Sequence, residues 1–203
     1  LNLPFEEPLH ASIDQQAAVV IEPLASAQDV QPTLMDVSDA PRLDPSRPGV
    51  VVAGPWRGLS PQLKAYQQAV QTWLLRSGWP LLADPLSALP IDLPGRLHHW
   101  DLLLDRLSFD SDGQVLRLGP MPASRRLERW LADPKGGQLV ITEGEQRTLD
   151  PIGVATQWNG GVAAWLAQQD QSQVGAELPW PRLDRQIGHC LDRLLPCQGP
   201  VTE

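Results

Sequence analysis

Gly49-Val50-Val51-Val52-Ala53-Gly54 constrains this chain more than any other stretch. The run is apolar throughout and rich in β-branched side chains, so a strand built from it has no polar face to turn to water. Such a strand is stable only with both faces covered, as in a parallel sheet flanked by helices. The next residues supply a covering element. Ser60-Pro61 reads as an N-cap with proline at the first helical position, and Leu63, Tyr66, Val70, Trp73 and Leu74 recur at helical spacing until Gly78. Trp79–Ala83 reads as a second strand that ends at Asp84-Pro85.

The alternation continues. A Leu- and Pro-rich loop leads to a helix expected over His98–Leu107, and Val115–Gly119 reads as the third strand. A helix capped by Ser124 carries Leu127, Trp130 and Leu131 on one face and stops at Asp133-Pro134. Leu139–Thr142 and Gly153–Thr156 read as strands four and five, Gly160–Gln169 contains a short helix, and a final helix runs from Arg182 to Leu195. Short strands alternating with longer helices predict an α/β fold: an open, doubly wound parallel sheet of five to six strands with helices on both faces.

Residues 1–47 carry Pro4, Pro8, Pro23, Pro32, Pro41 and Pro45 and no sustained apolar period, the composition of an interdomain linker. The expected organisation is therefore a linker over 1–47 leaving a missing N-terminal domain, a central α/β domain over 48–197, and the start of a missing C-terminal domain over 198–203. Both ends read as cuts. Leu1-Asn2-Leu3-Pro4-Phe5 resembles a strand end and turn, and Thr202 an N-cap without its helix.

A net charge of −8 over 203 residues argues against broad binding to a polyanion, and no basic patch overrides it. No apolar run approaches the ~20 residues that cross a bilayer, so a cytoplasmic location is expected, with no nucleic-acid partner and no membrane span. Cys190 and Cys197, with Pro196 between them, fit neither a zinc site nor a redox pair and are expected as free thiols. Eight tryptophans are unusual, and Trp73, Trp130 and Trp165 fall on apolar helix faces, where packing explains them.

The turn after the first strand, Gly54-Pro55-Trp56-Arg57-Gly58, does not fit GxGxxG: Trp56 is bulky where glycine is needed and Pro55 has no N–H for a pyrophosphate. A dinucleotide-binding oxidoreductase is accordingly disfavoured. There is no GxSxG and no phosphate-binding lysine motif, and Ser60, Ser87 and Ser124 read as caps or turn residues. His98 and His99 are adjacent, so on a helix they point about 100° apart; they and His189 read as solvated surface histidines, and His10 falls in the linker. No catalytic, cofactor-binding or metal-binding residue is expected in this segment.

One feature resists a bland account. Arg125 and Arg126 stand in the first turn of the helix capped by Ser124, where two cations oppose the helix dipole at about 0.3–1 kcal/mol each. Ligands of open α/β sheets bind outside the carboxyl ends of strands, so Ser124, Arg125 and Arg126 form a possible anionic effector site. The alternative is that both guanidinium groups project into water or pair with Glu128, Asp133 or a neighbouring subunit.

Leu1–Leu9 resembles an HxNxPFxEPL junction, Ser77–Ser87 is similar to a GWPLxxDxLS stretch, and Arg125–Trp130 matches a basic residue, Arg, Leu and later Trp. Gly199–Glu203 is similar to the approach to a third domain. These stretches resemble the MenD family of thiamine-diphosphate-dependent 2-succinyl-5-enolpyruvyl-6-hydroxy-3-cyclohexene-1-carboxylate synthases, over its central domain only. The resemblance implies a Rossmann-like six-stranded sheet and an intact transferase that decarboxylates 2-oxoglutarate and adds the succinyl unit to isochorismate, in menaquinone or phylloquinone biosynthesis. It implies that thiamine diphosphate and magnesium are held by the missing N- and C-terminal domains of the same chain in a homo-oligomer. Asp112-Gly113 lacks the glycine and the downstream Asn of the family's GDG metal motif. The segment alone is therefore expected to be inactive and to bind no cofactor. An effector-binding module for an anionic aromatic metabolite of the pathway is the alternative reading.

Overall fold

In the computed structural model, residues 40–108, 113–132, 136–169 and 178–195 are described, and all of them fall in one compact unit. His10, Asp112, Cys197 and residues 1–39 and 198–203 lie outside them. Six strands, β1 (Gly49–Ala53), β2 (Leu81–Ala83), β3 (Arg96–Leu97), β4 (Gln114–Leu118), β5 (Gly137–Ile141) and β6 (Thr156–Trp158), form one sheet in the order 3-2-1-4-5-6. Every strand pair is parallel. The helices are α1 (Leu63–Ser77), α2 (Trp100–Leu103), α3 (Arg125–Ala132), α4 (Val162–Leu166) and α5 (Trp180–Leu194).

The apolar run does what its composition requires. Its side chains alternate across the sheet. Val51 and Ala53 join Leu116, Ile141, Val70, Trp73 and Trp165 under α1 and α4, while Val50 and Val52 join Val115, Leu127, Leu131 and Trp180 under α2, α3 and α5. Each fully buried Val or Leu contributes about 1.5–3 kcal/mol relative to an exposed one, so both layers are needed to hold β1. Trp73 and Trp165 meet edge to face, ring centroids 4.8 Å apart.

Residues 40–47, on the linker side of the boundary expected at 48, are bonded to this domain. Pro41 O accepts from Trp165 Nε1 at 2.7 Å, Arg47 O accepts from Trp79 Nε1 at 3.0 Å, and Gln114 Nε2 donates to Asp44 O at 2.7 Å.

The structure corrects several sequence expectations. Ser60 begins a 3-10 turn, Ser60–Gln62, and the amide ahead of it, Leu59 N–H, is accepted by Gln62 Oε1 at 2.9 Å, so glutamine supplies the cap. The expected His98–Leu107 helix is preceded by the short strand β3 and shrinks to α2 followed by a 3-10 turn, Leu104–Arg106. The fifth expected strand shifts: Gly153–Ala155 is a turn, and the strand is β6, because Asp150 takes the amides of Ile152, Val154 and Ala155 at 3.4, 2.7 and 2.8 Å. Among the described residues, no helix is long and apolar enough to cross a membrane.

Candidate functional site

A strand order of 3-2-1-4-5-6 reverses direction between β1 and β4, and open sheets bind ligands outside the carboxyl ends of strands at such a point. Two of the hollows on that side hold the polar side chains of interest.

The larger is an open cleft of about 650 Å³ between the turn after β2 and the start of α3, lined by Leu86, Trp100, Asp101 and the Ser124–Arg126 stretch. Ser124 caps α3 as expected, its Oγ accepting from Leu127 N–H at 3.2 Å. The same hydroxyl donates to Asp101 Oδ1 at 2.6 Å. Arg126 is spent on carboxylates from the α2 region, reaching Asp105 Oδ2 at 2.7 Å and Asp101 Oδ2 at 3.5 Å. Arg125 is exposed and makes no ion pair among the described residues. The sequence places these three residues together correctly, but their partners, Asp101 and Asp105, come from a different element. The net effect is that two carboxylates take up Arg126, which leaves Arg125 as the unpaired cation of the cleft among the described residues.

The turn between β1 and α1 offers no phosphate cradle. Gly54 N–H donates to Leu118 O and Trp56 N–H to Leu86 O, both at 2.9 Å, and Pro55 has none to give. A Cβ on Gly54 would sit 1.6 Å from Pro120 O, so glycine here serves the approach of a neighbouring backbone and not of a ligand.

The smaller hollow is a cavity of about 20 Å³ across the ends of β1, β4 and β5, lined by Tyr66, Glu143 and neighbours. Glu143 Oε1 accepts from Val162 N–H at 2.9 Å. Burial pushes the Glu143 carboxyl up, against the opposing effect of that amide. Burial also raises the Tyr66 phenol, and the nearby negative charge of Glu143 adds to it. Sequence reasoning missed this pair. Tyr66 reads as one more core position, and nothing local distinguishes Glu143 from the other surface carboxylates.

The remaining candidates are structural. His99 is half-buried, correcting its reading as solvated: Asp184 of α5 accepts the amides of His98 and His99 at 3.1 and 2.7 Å, with His99 Nδ1 at 3.3 Å. His98 and His189 are exposed, as is Cys190, which forms no disulfide. Among the described residues, no group of three His, Cys, Asp or Glu side chains could hold a metal ion.

A synthase from Synechococcus sp. (strain CC9902), named 2-succinyl-5-enolpyruvyl-6-hydroxy-3-cyclohexene-1-carboxylate synthase, is 55% identical over the whole of this chain, which covers 38% of it. Proteins of the same name from Parasynechococcus marenigrum (strain WH8102) and Prochlorococcus marinus (strain MIT 9313) are 53% and 45% identical, with 37% and 39% of their lengths covered. The chain thus spans under two fifths of the length of the curated relatives it matches. A family model described as the middle domain of thiamine pyrophosphate matches residues 17–194. That match covers most of the chain, and the chain belongs to this family of thiamine pyrophosphate middle domains.

Proposed function

We propose that this chain is the central domain of a transferase that uses thiamine diphosphate to decarboxylate 2-oxoglutarate and adds the succinyl unit to isochorismate, in menaquinone or phylloquinone biosynthesis. The observation that carries the reading is the 55% identity across the whole chain to a synthase so named. Thiamine diphosphate, when bound, supplies the electron sink for decarboxylation. The described residues do not fit its diphosphate: the turn amides at the switch point are already bonded within the sheet, and no metal-ligand cluster is present among them. On this reading, cofactor and magnesium belong to other domains of a longer, homo-oligomeric, cytoplasmic protein. This domain's own contribution is a rigid sheet, covered on both faces, to which those domains are attached.

The geometry does not favour the effector reading of the arginine pair. Ser124 and Arg126 are satisfied within the domain, and an anion in the cleft would have Arg125 alone. The test is to express the full reading frame that contains this chain and to follow consumption of isochorismate with 2-oxoglutarate, thiamine diphosphate and magnesium. Turnover that requires all four components supports the assignment. A full-length protein that binds the cofactor but leaves isochorismate untouched refutes it, as does tight binding of thiamine diphosphate by residues 1–203 alone.

A further inference from the structure

The small cavity at the switch point contains an unmatched charge. Glu143 is half-buried, and no cationic side chain pairs with it among the described residues; its Oε1 has the Val162 amide, while Oε2 has no such partner. A Cβ on residue 161 would stand 2.8 Å from Oε2, so the carboxylate occupies its place because Gly161, at φ +82°, carries none. Tyr66 lines the same cavity and is only 3% exposed, yet its hydroxyl has no hydrogen-bond partner among the described residues. Desolvated carboxylates ordinarily gain a cation or several donors, and buried hydroxyls ordinarily find a partner. Of the other charged groups lining the cavity, Glu145 is paired with Arg147 at 2.7 Å, and Arg57 is exposed and makes no ion pair among the described residues.

We propose that this cavity receives a primary ammonium group, donating to Glu143 Oε2 and Tyr66 Oη together. Size and charge select that chemistry. About 20 Å³ is room for one water-sized group, enough for –NH₃⁺ and too little for a planar guanidinium. A divalent metal would require several more oxygen ligands than one carboxylate and one phenol provide. The ammonium comes either from a free small amine or from a lysine side chain elsewhere in the longer protein.

Methylammonium chloride is the probe, titrated against this chain while the Val162 amide resonance, bonded to Glu143, is followed. Tetramethylammonium chloride at the same ionic strength is the control, since it carries the charge without N–H donors. A saturable shift with methylammonium alone is expected, weakened about tenfold or more in Glu143→Gln and in Tyr66→Phe, as loss of a hydrogen bond to a charged group would cause. Glu143→Gln retains a carbonyl for Val162, so the fold is kept. Equal responses to the two salts, or an undiminished response in Glu143→Gln, overturn the proposal. In the full-length protein, carbodiimide coupling followed by mass spectrometry distinguishes the sources. A Glu143–lysine linkage identifies a side chain, a saturable methylammonium response identifies a free amine, and the absence of both overturns the proposal.

Discussion

Asp150→Asn tests the physics of this fold most sharply. Arg117 projects from the middle of β4 into the layer under α2, α3 and α5, and Asp150 meets it at 2.6 Å with both side chains 2% exposed. Burial alone would raise the Asp150 carboxyl, but the Arg117 hydrogen bond and the Ala155 and Val154 amides together hold it below the usual carboxylate range. Asparagine keeps the shape and removes the charge. Its amide nitrogen must then face either the Arg117 guanidinium or the Val154 and Ala155 amides, so donors oppose donors in both orientations. Arg117 would be left buried and uncompensated, with Nη2 already lacking a partner. Breaking a buried pair in this way costs about 3–5 kcal/mol, which for a domain of this size lowers Tm by roughly 6–20 °C. Calorimetry at pH 7 measures it. Arg117→Met should cost less, because Asp150 keeps its amide donors. The folded pKa is depressed, so the contribution is complete above the ordinary carboxyl value near about pH 4 and is lost as pH falls through the folded value. The gap between wild type and Asp150→Asn should therefore close in acid. A loss below about 1 kcal/mol, or a larger loss in Arg117→Met, would refute the reasoning.

Other substitutions probe separate links. Gly54→Ala should destabilise by about 2–3 kcal/mol or more in urea unfolding, because the new methyl meets the Pro120 carbonyl and the backbone must move. Trp165→Ala should cost about 3–5 kcal/mol, since a fully buried ring in contact with Trp73 and Pro41 O is lost. Ser124→Ala should cost about 1 kcal/mol through the α3 cap, and Arg126→Ala less, because its pair with Asp105 is exposed; the reverse order in thermal melts would contradict the assigned roles.

What the sequence discloses and what it hides divide along a physical line. The unbroken apolar run Gly49–Ala53 and the helical spacing of Tyr66, Val70, Trp73 and Leu74 are properties of neighbours in the chain, and burial follows them closely. β3 has only two residues, too few for any period, and it forms because β2 lies beside it and Asp184, 86 residues after His98, holds the amides that follow. Val154 gives its stretch the look of a strand, but one carboxylate at Asp150 captures three amides and bends it into a turn. Asp150 in turn is fixed by Arg117, 33 residues earlier, whose one local sign is a cation in the otherwise apolar run Val115–Leu118. The candidate site follows the same rule. Ser124 is legible as a cap because capping is local, whereas the destination of Arg126 depends on Asp101 and Asp105 arriving from another helix. Apolar pattern determines which face is buried, and long-range polar partners then decide which charges remain available to a ligand. That is why Glu143 and Tyr66, neither marked by any motif, are left with unmatched polar groups while Arg126 of the conspicuous arginine pair is satisfied within the domain.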